Sequence, residues 1–370
     1  MSVTPVRMPK WGLSMQEGAI VDWWKGEGDA IVEGEDLVDI ETAKINNTFE
    51  SPASGVLRRI VAQSGETLPV GALIAVLAEP STADAEVEAF IAEFQSSFTP
   101  ADDDADGAEV LRLSTVQAGG VSIRVGRGGP SEGVPVVLIH GYSGDLNGWL
   151  FNLEPLIADR PVIALDLPGH GGSSKDVGDG SLSSLAAAVL ETLSALDVGE
   201  AHLVGHSLGA AVAARAAIDS PDRVRSLTLI SPAGLAAGGV SEPFLTGVID
   251  AQRAKDLKPV LEMLPADPGL VTRDMVDDML KFKRLDGVEE ALSILRDRLV
   301  EGADAATLRA DLAAIPAALV ITSDRDQIVG QVDPADLPAG FRVVVIEGAG
   351  HLPHLERSGE VNALLVEATR

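Results

Sequence analysis

The sequence predicts two domains: an all-β N-terminal barrel of two similar sheets, and a larger C-terminal α/β domain with a mostly parallel sheet. Two observations support this fold class. The first 80 residues contain an internal repeat, whereas the chain after residue 110 alternates short apolar segments with helical ones. The stretch between them is strongly acidic. We therefore divide the chain into residues 1–80, 81–110 and 111–370.

The repeat organises the N-terminal domain. Glycines at fixed places mark turns that need positive φ, and the apolar positions between them alternate as in half-buried strands. Two copies predict a flattened barrel whose sheets are related by a pseudo-twofold axis. Lys44, in the turn at 42–45, should then lie at the opposite end from the linker. A shift of 37 residues aligns Gly18 with Gly55, Gly28 with Gly65, and Gly34 with Gly71.

The middle stretch, 81–110, is predicted to be a flexible linker. Between Pro80 and Val110 the chain carries nine acidic residues and no lysine or arginine. Self-repulsion therefore favours an extended, solvated segment, most of all from Thr99 to Gly107. Residues Ala85 to Phe94 could form a short helix within it.

The C-terminal domain, 111–370, is predicted to hold a parallel sheet. Short, uninterrupted apolar strands are typical of a sheet that is buried on both faces, with helices as crossovers. Residues 232–310 break this rhythm with a helical pattern between two strands, which predicts a cap over the C-terminal edge of the sheet. The strand candidates are Val136–Ile139, Val162–Leu165, His202–Val204, Leu227–Ile230, Ala318–Ile321 and Arg342–Ile346.

Composition excludes several classes of function. The formal net charge of −28 disfavours nucleic acid and anionic membranes, because both would repel the chain. The longest apolar runs, such as Ile315 to Ile321, are too short to span a bilayer, and Met1 to Met15 lacks the apolar core of a secretory signal. The absence of cysteine excludes disulfides, thiolate metal sites and a cysteine nucleophile, which fits the cytoplasmic location that we expect. We also assign no metal site.

A Gly-His-Ser-Leu-Gly motif centred on Ser207 predicts a strand, a tight turn and a helix that present a serine nucleophile. A serine hydroxyl needs a base and an orienting acid to react at neutral pH. The base candidate is His351, and the acid candidates are Asp326 and Asp324. Both segments follow predicted strands, and the chain order is serine, acid, histidine.

Two backbone amides could hold the negative charge that develops on a reacting carbonyl oxygen. Leu208 lies at the predicted helix N-terminus, and Tyr142 follows another strand in a His-Gly-Tyr-Ser-Gly segment. The other histidines are expected to hold loops, pack or line the pocket rather than to transfer protons. They are His140, His170, His202, His206 and His354.

These residues resemble the α/β-hydrolase family from about Leu111 to Arg370. The match covers the His-Gly loop, the Asp-Leu-Pro-Gly-His-Gly turn that begins at Asp166, the serine elbow, and the acid and base segments in order. The apolar pair after Asp326 stands at the family's spacing, which favours Asp326 over Asp324. The resemblance implies an α/β-hydrolase fold with a helical cap and a catalytic triad. A non-catalytic hydrolase scaffold is the alternative.

Lys44 stands in Glu41-Thr42-Ala43-Lys44-Ile45, at the predicted apex of the barrel. A single lysine in a turn is usually a solvated charge, but the repeat gives this one a distinct position. Residues from about Pro5 to Glu79 resemble the lipoyl (biotinyl-like) domain of 2-oxo acid dehydrogenase complexes, a barrel-sandwich hybrid. The acidic residue three positions before the lysine favours lipoyl attachment, although Ala43 replaces the usual aspartate. The resemblance implies lipoic acid bound covalently to Lys44.

Together the two halves resemble the dihydrolipoamide acetyltransferase components of acetoin dehydrogenase complexes. This resemblance implies transfer of an acetyl group from lipoyl-lysine to coenzyme A, with a Ser-His-Asp triad as the hypothesis for its mechanism. It also implies a multienzyme complex and a homo-oligomer, with a thiamine-diphosphate-dependent acetoin-cleaving component and dihydrolipoamide dehydrogenase as partners.

Two features depart from the usual acyltransferases of such complexes. No histidine begins a His-x-x-x-Asp-Gly motif, and the linker shows no small subunit-binding domain. Two alternative functions therefore stay open. One is a serine hydrolase (thioesterase, ester or carbon–carbon bond hydrolase) with a lipoyl domain, and the other is a non-catalytic carrier.

The segment Lys281 to Arg284 is the densest basic cluster in this acidic chain. Its side chains could contact the phosphates of coenzyme A. A solvated helix face is the simpler interpretation, and we assign no site there. Met275 and Met279 stand at helical spacing, which predicts packing within the cap.

Overall fold

The computed structural model describes residues 3–9, 17–41, 46–98, 111–236 and 238–370. The chain divides into two compact units, Met1–Glu109 and Val110–Arg370. The predicted fold class is confirmed, because two β-sheets build the first unit and a mostly parallel sheet with helices builds the second. No described helix combines the length and apolar character needed to cross a membrane.

The first unit contains two four-stranded antiparallel sheets among its described residues. Its strands are β1 (Thr4–Arg7), β2 (Glu17–Trp23), β3 (Ala30–Ile31), β4 (Asp36–Glu41), β5 (Asn46–Glu50), β6 (Gly55–Ile60), β7 (Thr67–Pro69) and β8 (Leu73–Ala78). The sheet orders are β1-β8-β6-β3 and β5-β4-β2-β7. A shift of 37 residues places β2 on β6, β3 on β7 and β4 on β8. In each of these pairs the two equivalent strands lie in different sheets, so the repeat relates one sheet to the other.

The glycines of the repeat adopt matching backbone conformations. The φ angle is 98° at Gly28 and 88° at its counterpart Gly65. It is 83° at Gly34 and 81° at Gly71. All four lie in the left-handed region that favours glycine, so the same residue is needed at the same turn in both copies.

Lys44 lies outside the described residues, but the strands on either side of it are described. Strands β4 and β5 pair antiparallel, with Glu41 opposite Asn46. The connection 42–45 therefore joins two neighbouring strands at one end of a sheet.

The segment predicted as a flexible linker begins with a packed helix, α1 (Asp84–Ser97). Val87 is fully buried against Leu73 and Val76 of β8. Two arginines of β6 form ion pairs with acidic residues of the helix. The possible helix over Ala85 to Phe94 is confirmed, but this part of the segment is packed and not flexible, because an apolar face of the helix covers β8. Residues 99–110 lie outside the described residues.

The second unit is built on one eight-stranded sheet, counted over the described residues. Its strands are β9 (Arg112–Ala118), β10 (Val121–Gly128), β11 (Val136–Ile139), β12 (Val162–Leu165), β13 (Ala201–His206), β14 (Val224–Ile230), β15 (Ala318–Ser323) and β16 (Phe341–Ile346). The order is β16-β15-β14-β13-β11-β12-β10-β9. Strands β11 to β16 are parallel and contain the six strand candidates, while β9 and β10 add an antiparallel edge.

Helices cover this sheet, and five of those described stand between β14 and β15, where the cap is predicted. The helices are α2 (Leu150–Ile157), α3 (Leu182–Ala195), α4 (Leu208–Asp219), α5 (Glu242–Asp250), α6 (Ala254–Leu261), α7 (Arg273–Lys283), α8 (Val288–Glu301), α9 (Ala303–Asp311), α10 (Pro353–Glu356) and α11 (Ser358–Ala368). Helices α5 to α9 form the cap. The loops that follow β11, β13, β15 and β16 carry the candidate catalytic residues.

Candidate active site

Ser207 stands at a strained turn between β13 and α4. Its φ of 53° and ψ of −116° are uncommon for a residue with a side chain. Glycine on both sides permits this turn. A Cβ atom at Gly205 would lie 2.2 Å from the Gly209 carbonyl oxygen, and one at Gly209 would lie 2.2 Å from the Ile139 carbonyl oxygen. The close approach of strand and helix thus depends on both glycines.

His351 and Asp326 meet although 25 residues separate them in the chain. The Nδ1 atom of His351 donates to Oδ2 of Asp326 at 2.8 Å. Oδ1 of the same carboxylate accepts the backbone amides of Ile328 and Val329, at 2.8 and 3.1 Å. Burial raises the pKa of Asp326, but the hydrogen bond from His351 and the two amides outweigh it, so the pKa lies below its usual range. The acid therefore stays ionised beside the imidazole.

The rival acid, Asp324, has a different place. It is exposed, and its Oδ1 atom accepts the backbone amide of Gly348 at 2.7 Å. This bond ties the loop after β15 to the loop before His351. The geometry places Asp326, and not Asp324, on the imidazole.

Ser207 and His351 line one cavity of about 160 Å³ under the cap. Its lining is mostly apolar and includes Met275 and Met279 of α7. Met279 also packs against the apolar cluster of the cap, as predicted, and both methionines line the cavity in addition.

Tyr142 lines the same cavity as Ser207, and Leu208 follows the serine at the start of α4. Across the described residues, neither backbone amide has a hydrogen-bond acceptor in the protein. The Tyr142 hydroxyl donates to the carbonyl oxygen of Leu292 in α8 at 3.0 Å, and burial raises its pKa, so it stays protonated. This side chain holds the loop after β11 against the cap.

His140 and His170 hold loops. His140 donates from Nδ1 to the Gly141 carbonyl oxygen and accepts the Leu167 amide at Nε2, at 2.8 and 3.0 Å. His170 accepts the Ser143 amide at Nε2, at 3.1 Å. Burial, with repulsion from His140, lowers the pKa of His170 to about 3. His170 therefore stays neutral.

Two further histidines surround the candidate base. His206 donates from Nε2 to the His351 carbonyl oxygen at 2.8 Å, and its ring centre lies 4.5 Å from that of His354. Burial lowers the pKa of His206 well below its usual value and that of His354 to about 3. Both are neutral near pH 7, so they pack around His351. The remaining histidine, His202, contacts the Ser226 hydroxyl at 2.8 Å.

Glu356 is a residue that the sequence analysis did not identify. Its carboxylate accepts the backbone amides of Gly350 at 3.0 Å and Leu352 at 3.1 Å, on either side of His351. It also accepts the amide of Ala266 in the cap at 2.7 Å. Burial raises its pKa. The sequence signal that could have identified it is an acidic residue close after Gly350-His351, among mostly apolar residues.

The basic cluster on α7 has a structural role that neither interpretation anticipated. Lys283 is buried, and its Nζ atom donates to the carbonyl oxygens of Ile249 and Ala251 at the end of α5. Burial lowers its pKa. Lys281 forms an ion pair with Asp278 at 2.8 Å. The solvated-face interpretation is therefore wrong for Lys283.

Comparison with known proteins decides the family. A profile of the Alpha/beta hydrolase family matches residues 136–364, and a profile described as Biotin-requiring enzyme matches residues 4–77. The dihydrolipoyllysine-residue acetyltransferase component of the acetoin cleaving system of Pseudomonas putida is 44% identical over 364 residues, which cover 98% of this chain and 97% of the relative. The component of the same name from Cupriavidus necator is 42% identical over 369 residues and 98% and 96% of the two chains. This chain belongs to that family.

Solved structures resemble the second unit of this acetoin-system acetyltransferase. A meta-cleavage product hydrolase from Pseudomonas fluorescens matches with a TM-score of 0.63 and 23% identity, over 70% of this chain and 97% of that one. The 2-hydroxy-6-oxo-6-phenylhexa-2,4-dienoate hydrolase from Rhodococcus matches with a TM-score of 0.63 and 21% identity, over 70% of this chain and 98% of that one. At these identities the likeness shows the fold, which is that of an α/β-hydrolase.

Proposed function

We propose that this acetyltransferase moves an acetyl group from lipoyl-Lys44 to coenzyme A through an acetyl ester on Ser207. The observation that carries the proposal is the buried His351–Asp326 hydrogen bond, with His351 in the same cavity as Ser207. The family membership supports the donor and the reaction class. The thiamine-diphosphate-dependent acetoin-cleaving component and dihydrolipoamide dehydrogenase are the proposed partners, in a homo-oligomeric complex.

Lys44 is the proposed site of lipoylation. Residues 42–45 join two paired strands, and Lys44 is the one lysine among them. Lipoic acid attached there would, in its reduced dihydrolipoyl form, supply a thiol that holds the acetyl group as a thioester. Because donor and acceptor groups belong to one chain, their effective concentration is on the order of millimolar.

The serine half of the reaction is assigned to residues that line the catalytic cavity or stand beside Ser207. His351 takes the proton of Ser207 Oγ, which attacks the acyl carbonyl carbon. Asp326 stabilises the imidazolium, and the free amides of Tyr142 and Leu208 donate to the oxyanion. His351 then protonates the leaving thiolate. The acetyl group is left as an ester on Ser207.

The cavity favours transfer over hydrolysis. Met275, Met279, Leu261 and Phe244 are among the apolar side chains that surround the ester. Such a lining offers few groups that would bind and activate water, which supports transfer to a thiol over hydrolysis. Product analysis distinguishes a transferase from the hydrolase alternative.

The proposal is tested with full-length lipoylated protein, free S-acetyl-dihydrolipoamide as donor, and product analysis with and without coenzyme A. We expect an acetyl group on Ser207 without coenzyme A, and acetyl-coenzyme A when it is added. Ser207→Ala should lose both, whereas Ser194→Ala, at an exposed position, should lose neither. Free acetate as the main product would support the hydrolase alternative, and wild-type transfer by Ser207→Ala would exclude the serine mechanism.

The carrier half is tested separately by intact mass. Protein from its native host should carry one lipoyl group, and Lys44→Arg should carry none. Unmodified wild-type protein would exclude the carrier role.

A further inference from the structure

A second cavity, of about 310 Å³, adjoins the catalytic one. Ala233, Val240 and Leu299 line both cavities. Leu208, the residue after the nucleophile, also lines the second cavity. The two cavities therefore share part of their walls, and the second one reaches the residue whose amide is proposed to hold the oxyanion.

Solvent exposure differs between the two cavities. Over the described residues, no lining residue of the catalytic cavity is exposed. The second cavity has exposed residues at one end, including Gly239, Val300 and Arg309, and the buried residues Leu208 and Ala233 at the other. Both cavities are partly open to solvent, and the second one extends from these exposed residues to the residue that follows Ser207.

The polar groups at the exposed end suit a phosphate-bearing molecule. Arg309 is exposed, and among the described residues the Gly234 carbonyl oxygen is its acceptor, at 2.5 Å. A guanidinium has five N–H donors, so most of them stay available for phosphate oxygens. Arg298 also lines the cavity, but it pairs with Asp179 and Glu301, and Glu242 and Asp304 add negative charge there. Arg309 is therefore the guanidinium of this rim that can contact a phosphate.

We propose that the second cavity binds the pantetheine arm of coenzyme A, with Arg309 at the phosphate end and the thiol at Ala233. This inference rests on the proposed transfer to coenzyme A. Pantetheine is a narrow chain, and two glycines of the lining, Gly238 and Gly239, leave open space beside the backbone for it. The thiol passes between Val240 and Leu299 to reach the ester.

The second half-reaction then balances with the residues present. The coenzyme A sulfur forms a bond to the acetyl carbonyl carbon as the bond from that carbon to Ser207 Oγ breaks. His351 takes the thiol proton and returns it to Oγ. The products are acetyl-coenzyme A and free serine, with no other reactant.

Ala305→Trp tests the site by filling the second cavity from α9. Ala305 is half-buried, lines only this cavity and has no place in the catalytic groups. Ala306→Trp, one residue later and exposed, is the matched control. For Ala305→Trp we expect the KM and the calorimetric Kd of coenzyme A to rise at least about tenfold. Acetylation of Ser207 by p-nitrophenyl acetate should stay at the wild-type rate.

Arg309→Gln provides a second variant at an exposed position. It should raise the KM of coenzyme A several-fold and leave that of pantetheine, which has no phosphates, unchanged. Arg273→Gln, at an exposed ion pair on α7, is its control and should change neither.

Several outcomes would overturn the inference. One is an unchanged KM for coenzyme A in both variants. A loss confined to acetylation of Ser207, or an equal loss in both half-reactions, would also overturn it. If wild-type protein forms no acetyl-coenzyme A at all, the proposed function fails first, and this result is distinct because it needs no variant.

Discussion

The Nδ1 atom of His351 lies 2.8 Å from Oδ2 of Asp326, and the two side chains are 3% and 0% exposed. The other carboxylate oxygen accepts two backbone amides, so the acid cannot rotate away from the imidazole. A fixed partner at Nδ1 sets the tautomer and leaves Nε2 free to accept a proton. The orientation of the base thus depends on the loop after β15.

Asp326→Asn should lower kcat for acetyl transfer by roughly two to four orders of magnitude, because an amide stabilises the wrong tautomer and cannot balance the imidazolium charge. Asp324→Asn is the matched control and should keep near-wild-type kcat, since its amide oxygen can still accept the Gly348 amide. Steady-state kinetics of both variants tests this. Equal losses in the two would contradict the assignment of Asp326.

Stability should depend on the ionisation of Asp326. Its folded pKa lies below the ordinary value of 3.8, so the carboxylate contributes stability above that pH and loses it as the pH falls through the folded pKa. We expect the difference in free energy of unfolding between wild type and Asp326→Asn to be constant near neutral pH and to shrink in acid below pH 3.8. Urea unfolding at a series of pH values measures this. A difference in unfolding free energy that grows in acid would contradict a lowered pKa for Asp326.

Glu356→Gln should slow the serine chemistry although Glu356 contacts no substrate. One amide oxygen cannot accept the bonds on both sides of the carboxylate, so the His351 loop loses part of its support. We expect kcat to fall between about tenfold and 100-fold with little change in KM. Labelling of Ser207 by a fluorophosphonate should slow in parallel.

Glu360→Gln, at an exposed position four residues later in α11, is the control for Glu356 and should match wild type. Calorimetry should show that Glu356→Gln remains folded at the assay temperature. A rise in KM with unchanged kcat would assign Glu356 to substrate binding instead.

Gly205→Ala should destabilise the second unit, because its Cβ atom would lie 2.2 Å from a backbone oxygen that cannot move aside cheaply. Overpacking of this kind costs about 1–3 kcal/mol or more of unfolding free energy. Gly199→Ala is the control, since a Cβ atom there meets nothing within 4 Å. Chemical denaturation compares the two. Similar stabilities would contradict the close approach of strand and helix.

Val87→Ala should destabilise the first unit by about 2 kcal/mol, because it removes buried methyl groups between α1 and β8. Val32→Ala, where the valine is 65% exposed, should have little effect. Differential scanning calorimetry of the full chain measures both. If Val87→Ala leaves the stability unchanged, α1 does not stabilise the barrel.

Patterns that are local in sequence predicted much of this structure. Uninterrupted apolar runs identified β11 to β16, because strands buried on both faces contain few polar residues. The glycine spacing identified the repeat, since Gly28 and Gly65 share a positive φ. The chain order of Ser207, Asp326 and His351 was enough to expect the pairing that the structure shows between the last two.

Features that depend on distant partners were missed. Strand β9 alternates exposed and half-buried residues and lacks the apolar run of the central strands. The burial of Lys283 depends on carbonyl groups of α5, and that of Val87 depends on β8. Glu356 accepts the amide of Ala266, in the segment between α6 and α7, as well as amides of its own loop. Sequence spacing contains no information on such contacts.

The cap is bonded to the catalytic loops, and this limits how the enzyme could change its substrate. The Leu264 carbonyl oxygen accepts the amide of His351 at 2.7 Å, and Leu292 in α8 accepts the Tyr142 hydroxyl. A foreign cap grafted between β14 and β15 would bring a new specificity pocket but remove both acceptors. Evolution or design of new acyl preferences should therefore proceed by single substitutions inside the present cap, not by exchange of the whole segment.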